Sequence, residues 1–433
     1  MALQTAKPSA KWKKAFFTIW TGQSFSILGS MLVQFSLIWW LTQQTGSATV
    51  LATASLVGLL PGVFLGPFAG ALVDRWNRRL VMIVADGVVA LATLVLIGLF
   101  WAGIVQIWHI YIALLVRSLG GTFHWPAMQA STSLMVPDEH LSRIAGINQA
   151  LGGAINIIGP PLGALLLGVI PLHAVLSIDV VTAAIAILPL LFVAIPQPVQ
   201  RVTTPVTPLN LLRDVREGFR YMVSWPGLMA IGIMATLINF LLSPTSALIP
   251  LLVTKHFHGG VWHLGWVESA SGVGVVVGGL LLGVWGGFRR KIYTSLLGVT
   301  GIGIGVLFIG LAPAPAFWMA ITGTFIAGFM NPIANGPLFA LMQSRVAPEM
   351  QGRVFTLLGS VASAMTPLSM ICAGPIADAL GIQVWYYVGG LITLMMGIGA
   401  FFVPTILNAD GGQGSSSFCT TTQQIKETGT AMD

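Results

Sequence analysis

Residues 80–102 read Leu80-Val-Met-Ile-Val-Ala-Asp86-Gly-Val-Val-Ala-Leu-Ala-Thr-Leu-Val-Leu-Ile-Gly-Leu-Phe-Trp-Ala102, and three arginines, Arg75, Arg78 and Arg79, stand just before them. A bilayer-spanning helix needs about 20 mostly apolar residues, and here one charge, Asp86, interrupts a run of that length. Lipid offers the backbone no hydrogen bonds, so such a run is a helix. A β-barrel would need short alternating segments instead. The same reading applied outward divides the chain into twelve spans: 15–41, 49–73, 80–102, 108–135, 145–169, 173–194, 227–252, 262–285, 292–312, 316–342, 353–377 and 384–407.

Composition agrees. Of 433 residues 55% are hydrophobic and 8% charged, against about 25% charged in an ordinary soluble domain. The mean hydropathy is +0.86. These values exclude a soluble globular or disordered chain. The net charge of +7 would suit nucleic acid, but its placement does not. With twelve spans, loops alternate between two sides. One side holds Lys7, Lys11, Lys13, Lys14, Arg75, Arg78, Arg79, Arg143, Arg201, Arg213, Arg216, Arg220, Arg289, Arg290, Lys291, Arg345, Arg353 and Lys426; the other holds Lys255 alone, and Arg117 lies within a span. Lys/Arg excess marks the cytoplasmic side, so the basic charge is an insertion signal and nucleic acid is not a partner. The reading predicts a cell-membrane protein with both termini cytoplasmic, and the lysine-rich start, with no small-residue cleavage site, predicts no removed signal peptide. Cys372 and Cys419 are too few for a disulfide framework or a Cys-rich metal site.

The chain is therefore predicted to be all-α: an N-terminal segment 1–14, six helices over 15–194, a cytoplasmic linker 195–226, six helices over 227–407 and a disordered tail 408–433. The linker is rich in Pro, Gln and Thr, and its Leu209, Leu212, Val215, Phe219 and Met222 fall at helical spacing with arginines between them, as in an interfacial amphipathic helix. The halves carry a weak repeat. Glu139-His-Leu-Ser-Arg143 enters helix 5 and Glu349-Met-Gln-Gly-Arg353 enters helix 11; Gly70 to Arg79 joins helices 2 and 3 as Gly279 to Lys291 joins helices 8 and 9. Parallel repeats about an axis normal to the membrane are a transporter feature.

The loop Gly70-Ala-Leu-Val-Asp74-Arg75-Trp-Asn77-Arg78-Arg79 resembles the signature between helices 2 and 3 of the major facilitator superfamily, with Asn77 where that pattern often has Gly. Arg117 to Ala130, Val136 to Gln149, Gly159-Pro160-Pro161-Leu-Gly163-Ala164 and Ile178-Asp179-Val resemble its macrolide-efflux branch. The resemblance covers nearly the whole chain. It implies two six-helix bundles related by a pseudo-two-fold axis and export of a bulky, largely apolar drug driven by inward proton flow. Gly159, Pro160 and Gly163 match the antiporter-associated motif, with Ile155 and Ala164 at two of its positions. In the implied latch, Asp74 and Arg78 hold one state and release on switching; alternatively the arginines only enforce topology.

A charge inside the membrane is costly, so each one is a functional candidate. At 1.5 Å per residue, Arg117 in helix 4 and Asp179 in helix 6 lie at similar depth, which predicts an ion pair, either opened by protonation of Asp179 or permanently structural. Asp86 is about two turns into helix 3, near the loop arginines, with pairing to them or proton carriage as its alternatives. Glu268, in helix 8, has no evident cationic partner; it reads as a proton or cation site or as a side chain snorkelling to the outer interface. Helices 1, 4, 7 and 10 line the path in this architecture, by analogy. Polar stripes on them include Gln23, Ser26, Ser30 and Gln34; Arg117, Gly121, His124 and Met128; Thr236, Asn239, Ser243 and Ser246; and Thr324, Asn331, Asn335 and Met342. Such stripes line water or bond helix to helix. With aromatic walls such as Phe339 they suit a large amphipathic ligand. His124 can titrate near neutral pH or form a plain interhelical hydrogen bond.

No P-loop, His-Glu-x-x-His or Gly-x-Ser-x-Gly motif is present. The expectation is a transporter and not an enzyme, with no cofactor or metal, driven by the proton motive force. Its partners are a small hydrophobic drug, protons and the bilayer, with an ATPase or accessory protein on a separate chain left open. Export of a siderophore or lipid on the same fold, or a non-transporting membrane sensor, are the rival readings; Asp179 and Glu268 argue against the sensor.

Overall fold

The computed structural model describes residues 12–73, 75–196, 216, 219–346 and 348–408. Among them the regular elements are all helical. Twelve long helices follow in order: α1 (Trp12–Thr45), α2 (Ala48–Val73), α3 (Arg78–Trp101), α4 (Ile107–Met135), α5 (Asp138–Val169), α6 (Leu172–Phe192), α7 (Pro226–Ala247), α8 (Val261–Trp285), α9 (Lys291–Leu311), α10 (Phe317–Arg345), α11 (Pro348–Leu380) and α12 (Gln383–Ala400). A short α13 (Pro404–Leu407) closes the described chain, and α7 is continued by Ile249–Leu251 and a π-helical turn, Leu252–His256.

Ten of the twelve are long and apolar enough to cross a membrane by length and composition. The other two are α4, which carries Arg117 and His124, and the shorter α12. Several ends differ from the apolar runs in the sequence. α5 begins at Asp138, because its polar first turns continue the helix beyond the apolar stretch. The last apolar run breaks after Ala400, where Pro404 starts a separate turn. The N-terminal segment up to residue 11, most of the linker, the tail from 409 and Asp74 lie outside the described residues. Asn77 has a visible role: its side chain accepts from the Leu80 amide at 3.2 Å, an N-cap for α3 that glycine would not supply. Gly381 sits between α11 and α12 at φ 92°, a left-handed helix end that glycine adopts without a Cβ penalty.

By contact the chain forms two compact units. Unit 1 is Met1–Thr204 together with Ser246–Gly272 and Met370–Ile382; unit 2 is Pro205–Thr245, Val273–Ser369 and Gln383–Asp433. In unit 1, α1 packs on α5 and α6, α3 on α4 and α6, and α2 on α4. Near one end of these helices Phe16, Ile19, Met82, Met135 and Leu190 form a buried core. In unit 2, α9 packs between α10 and α12. Without a hydrophobic drive between helices in lipid, close approach through small residues takes its place. A Cβ at Gly298 would collide with the backbone of Ala334 on α10, and one at Gly303 with that of Leu394 on α12. The Ser295 hydroxyl donates to the Ala334 carbonyl beside the first of these contacts.

Gly298→Val therefore forces α9 and α10 apart. Overpacking of this kind costs about 1–3 kcal/mol; the expected result is a lower melting temperature in fluorescence-detected size exclusion, with Gly279→Val, where a Cβ meets open space, near wild type.

Candidate functional site

Unit 1 carries two polar tiers in its interior, built by α1, α3, α4 and α6. In the first, Arg117 Nη1 lies 2.6 Å from Asp179 Oδ2. The Thr93 hydroxyl donates to the same oxygen at 3.0 Å and accepts from Arg117 Nη1 at 3.2 Å. The Ser30 hydroxyl donates to Asp179 Oδ1 at 3.2 Å, and Arg117 Nη2 donates to the Ser30 carbonyl at 3.0 Å. The two side chains are 9% and 2% exposed. This tier is charge-balanced and its carboxylate is bonded on both oxygens, the condition under which a buried pair is tolerated.

In the second tier, Gln23 Nε2 donates to Asp86 Oδ2 at 3.1 Å. His124 Nε2 lies 2.9 Å from Gln23 Oε1 and 3.4 Å from Asp86 Oδ1. Asp86 is thus held by α1 and α4 and not by the arginines of the loop, which corrects the expectation from its depth. Counting along α3 gives depth but not the side of the helix, and Asp86 faces α4. The nearby arginines are engaged elsewhere: Arg78 Nη1 donates to the Ala130 carbonyl at 3.0 Å, and Arg79 Nη2 to that of Leu191. Arg75 is exposed, and Gly70 is partly buried with open space beside it. Gln23 and Ser30, Asp86 and Thr93, and His124 and Arg117 are each seven residues apart. Two helical turns, about 10 Å, therefore separate the tiers on all three helices.

Glu268 is partly buried on α8 and has no hydrogen bond or ion pair among the described residues. Gly265 and Gly272 on its helix approach Pro161 and Asn156 of α5. On α5, Gly159 and Gly163 make room for Met31 and Phe35 of α1, spaced four residues apart on each helix, and Pro160 lies within α5 between them. These motif residues act in helix packing. The remaining cavity candidates are not drawn into either tier. Gln34 is exposed on α1 and Met128 partly buried on α4. In unit 2, Asn239 donates to the Ala235 carbonyl, Asn335 to that of Asn331, and Phe339 is exposed on the same face of α10, beside Phe355.

One anchoring residue was not evident from composition. Asp378, at the end of α11, receives the Ala48 amide at 2.8 Å, the Thr49 amide at 3.0 Å, the Thr49 hydroxyl at 2.7 Å and the Ser47 hydroxyl at 3.0 Å. It caps the first turn of α2, where free amides and the helix dipole favour an anion. Gly374, one turn earlier, lets the backbones meet at Thr49. The available signal was spacing: Gly374-Pro-Ile-Ala-Asp378 repeats the Gly-x-x-x-Asp of Gly70 to Asp74.

Two outcomes follow for stability. Arg117→Ala leaves a buried, uncompensated carboxylate, a loss of about 3–5 kcal/mol, so thermal unfolding should show a large drop that Arg117→Leu combined with Asp179→Leu largely reverses. Asp378→Ala removes a cap, worth about 0.5–2 kcal/mol, and should speed amide hydrogen exchange over the first turn of α2 while leaving α3 unchanged.

The model of the Major Facilitator Superfamily matches residues 19–365 and 228–416. Macrolide efflux protein A of Streptococcus pyogenes is 37% identical over 387 residues, 89% of this chain and 95% of that protein. Multidrug efflux pump Tap of Mycolicibacterium fortuitum is 28% identical over 386 residues, 86% of this chain and 91% of that protein. Among solved structures, the nucleoside transporter NupG aligns at a TM-score of 0.68 with 14% identity, covering 90% of this chain and 98% of its own. A bacterial homologue of the lysosomal transporter Spinster aligns at 0.63 with 13% identity, covering 93% and 97%. At such identities these structures speak for the fold alone. The twelve helices and the family match together make this chain a membrane transporter, and it belongs to the Major Facilitator Superfamily.

Proposed function

We propose that this protein exports a bulky hydrophobic drug of the macrolide type from the cell, in exchange for protons that enter. The observation that carries the reading is the 37% identity to proteins named for macrolide efflux, which extends over 89% of the chain. Nearly full-length similarity spans both the helices and the loops that would line a path, and the multidrug pump relative points the same way. The two polar tiers support ion coupling, because charge inside a membrane protein is costly and is retained where it serves a purpose. The placement of Lys and Arg supports a cytoplasmic-membrane location with both termini inside.

The transport cycle alternates between two arrangements of the six-helix bundles 15–194 and 227–407. Each ligand shifts their balance only by its differential affinity for them. Drug taken up from the inner side favours one arrangement and protonation from the outer side the other. The loop from Gly70 to Arg79 serves as the inner latch, with Asp74 and Arg78 its active members. Asp378 serves the outer end: by capping α2 it ties the end of α11 to the start of α2.

The test is efflux of radiolabelled erythromycin from cells that express the chain, with and without a protonophore, beside vector-only cells. Lower accumulation that the protonophore abolishes is the expected result. Equal accumulation in both cell types, with the protein well expressed, would remove macrolide export.

A further inference from the structure

The two tiers differ in the property that matters for moving a proton. The first holds one cation and one anion and sums to zero. Asp179 is 2% exposed and bonded by Arg117, Thr93 and Ser30. The second holds an anion with no fixed cation. Its ion-pair distance is longer, 3.4 Å, and His124 and Asp86 are 16% and 11% exposed, so it is less enclosed than the first. We propose that Gln23, Asp86 and His124 form the proton-exchange site, holding one exchangeable proton, and that the Arg117–Asp179 tier is a fixed scaffold. The assignment rests on the proton-antiport reading and adds the site to it.

Hydrogen-bond direction defines the unprotonated form. A carboxylate only accepts, so the Gln23 amide nitrogen faces Asp86 and its oxygen faces His124. That oxygen in turn requires a proton on His124 Nε2, which leaves Nδ1 free as the base. Gln23 is thus a positioning residue that selects the tautomer. Uptake of one proton by Nδ1 converts the imidazole to imidazolium. Nε2–H still points to Gln23 Oε1 and Asp86 Oδ1, and the cluster charge goes from −1 to zero. Release returns the proton to water and restores the −1 charge, with no other bond formed or broken.

The surroundings are sparse in competing charge. α2 has no titratable side chain; α1 has Lys13 and Lys14 near its start; α5 has Asp138, Glu139, His140 and Arg143 in its first two turns. α6 contributes His173 and Asp179, α3 also Arg78 and Arg79, and α4 also His109, Tyr111 and Arg117. Of these, Arg117 and Asp179 form the next tier, paired with each other, and Arg78 and Arg79, about two turns away at the start of α3, bond backbone carbonyls. An imidazole beside a carboxylate can gain and lose one proton with its other hydrogen bonds kept, so this His–Asp cluster is suited to trading one proton per cycle.

The experiment uses the purified full-length protein in weakly buffered detergent. A pH indicator records protons released when erythromycin is added, and binding of radiolabelled erythromycin is measured on the same samples. Wild type should release protons on binding. Asp86→Asn and His124→Gln should bind the drug yet release none, and in cells should lose protonophore-sensitive efflux. Gln23→Leu should shift the pH profile of release without abolishing it, an effect that a purely structural role would not produce. Proton release and an unchanged pH profile in His124→Gln or Asp86→Asn would overturn the assignment while leaving antiport intact. Drug binding without proton release by wild type, with efflux insensitive to the protonophore, would instead overturn the antiport reading and the site with it. Should Asp86→Asn fail to fold, His124→Gln and Gln23→Leu decide the matter.

Discussion

A charge in the interior of a membrane protein is costly, and a partner inside the helix bundle offsets much of that cost. In this chain that constraint centres on Arg117. Its guanidinium reaches α6 through Asp179, α3 through Thr93 and α1 through the Ser30 carbonyl. Four helices are thereby fixed in height and rotation at one level. The approach is close because α1 presents glycine to α6 at the same period. A Cβ on Gly22 would meet Ile185 and Ala186, and one on Gly29 would meet Asp179 and Thr182. Small residues and polar residues alternate on α1 with one seven-residue step, so packing and hydrogen bonding are satisfied by the same register.

Much of this was legible beforehand. The twelve apolar runs coincide with twelve helices, because length and apolarity are set by the bilayer and need no knowledge of partners. Arg117 and Asp179 share a depth that can be counted along two helices running the same way. Rotation was the missing quantity. Asp86 sits near the arginine-bearing end of α3, yet it faces Gln23 and His124. Depth could not reveal this, whereas the common spacing of Gln23 to Ser30, Asp86 to Thr93 and Arg117 to His124 does so once the three helices are compared. In lipid, where apolar surface distinguishes helix faces poorly, polar spacing carries the information that hydrophobic periodicity carries in a soluble protein.

Asp378 illustrates a different gap. Its partners are mostly backbone amides and hydroxyls at the start of α2, more than 300 residues away in sequence. A carboxylate that pairs with a helix end needs no basic residue, so a search for opposite charges passes over it. The Gly-x-x-x-Asp spacing explains its form. Glycine brings two backbones together, and a turn later the carboxylate reaches the free amides of the neighbouring helix. The same spacing recurs in the sequence at Gly70 to Asp74.

The division between a balanced tier and an unbalanced one gives α4 two roles. At Arg117 it carries a permanent charge, since guanidinium does not lose its proton in a protein. A tier built on it can fix geometry but has little to exchange. Two turns along, the same face carries an imidazole, which can hold one proton or two, and the neighbouring helices supply an amide and a carboxylate in place of a hydroxyl pair. The fixed tier also limits how far the exchangeable one can relax, because Gln23, Asp86 and His124 ride on the helices that Ser30, Thr93 and Arg117 clamp. A proton added to the second tier therefore changes charge without freely changing the local helix register.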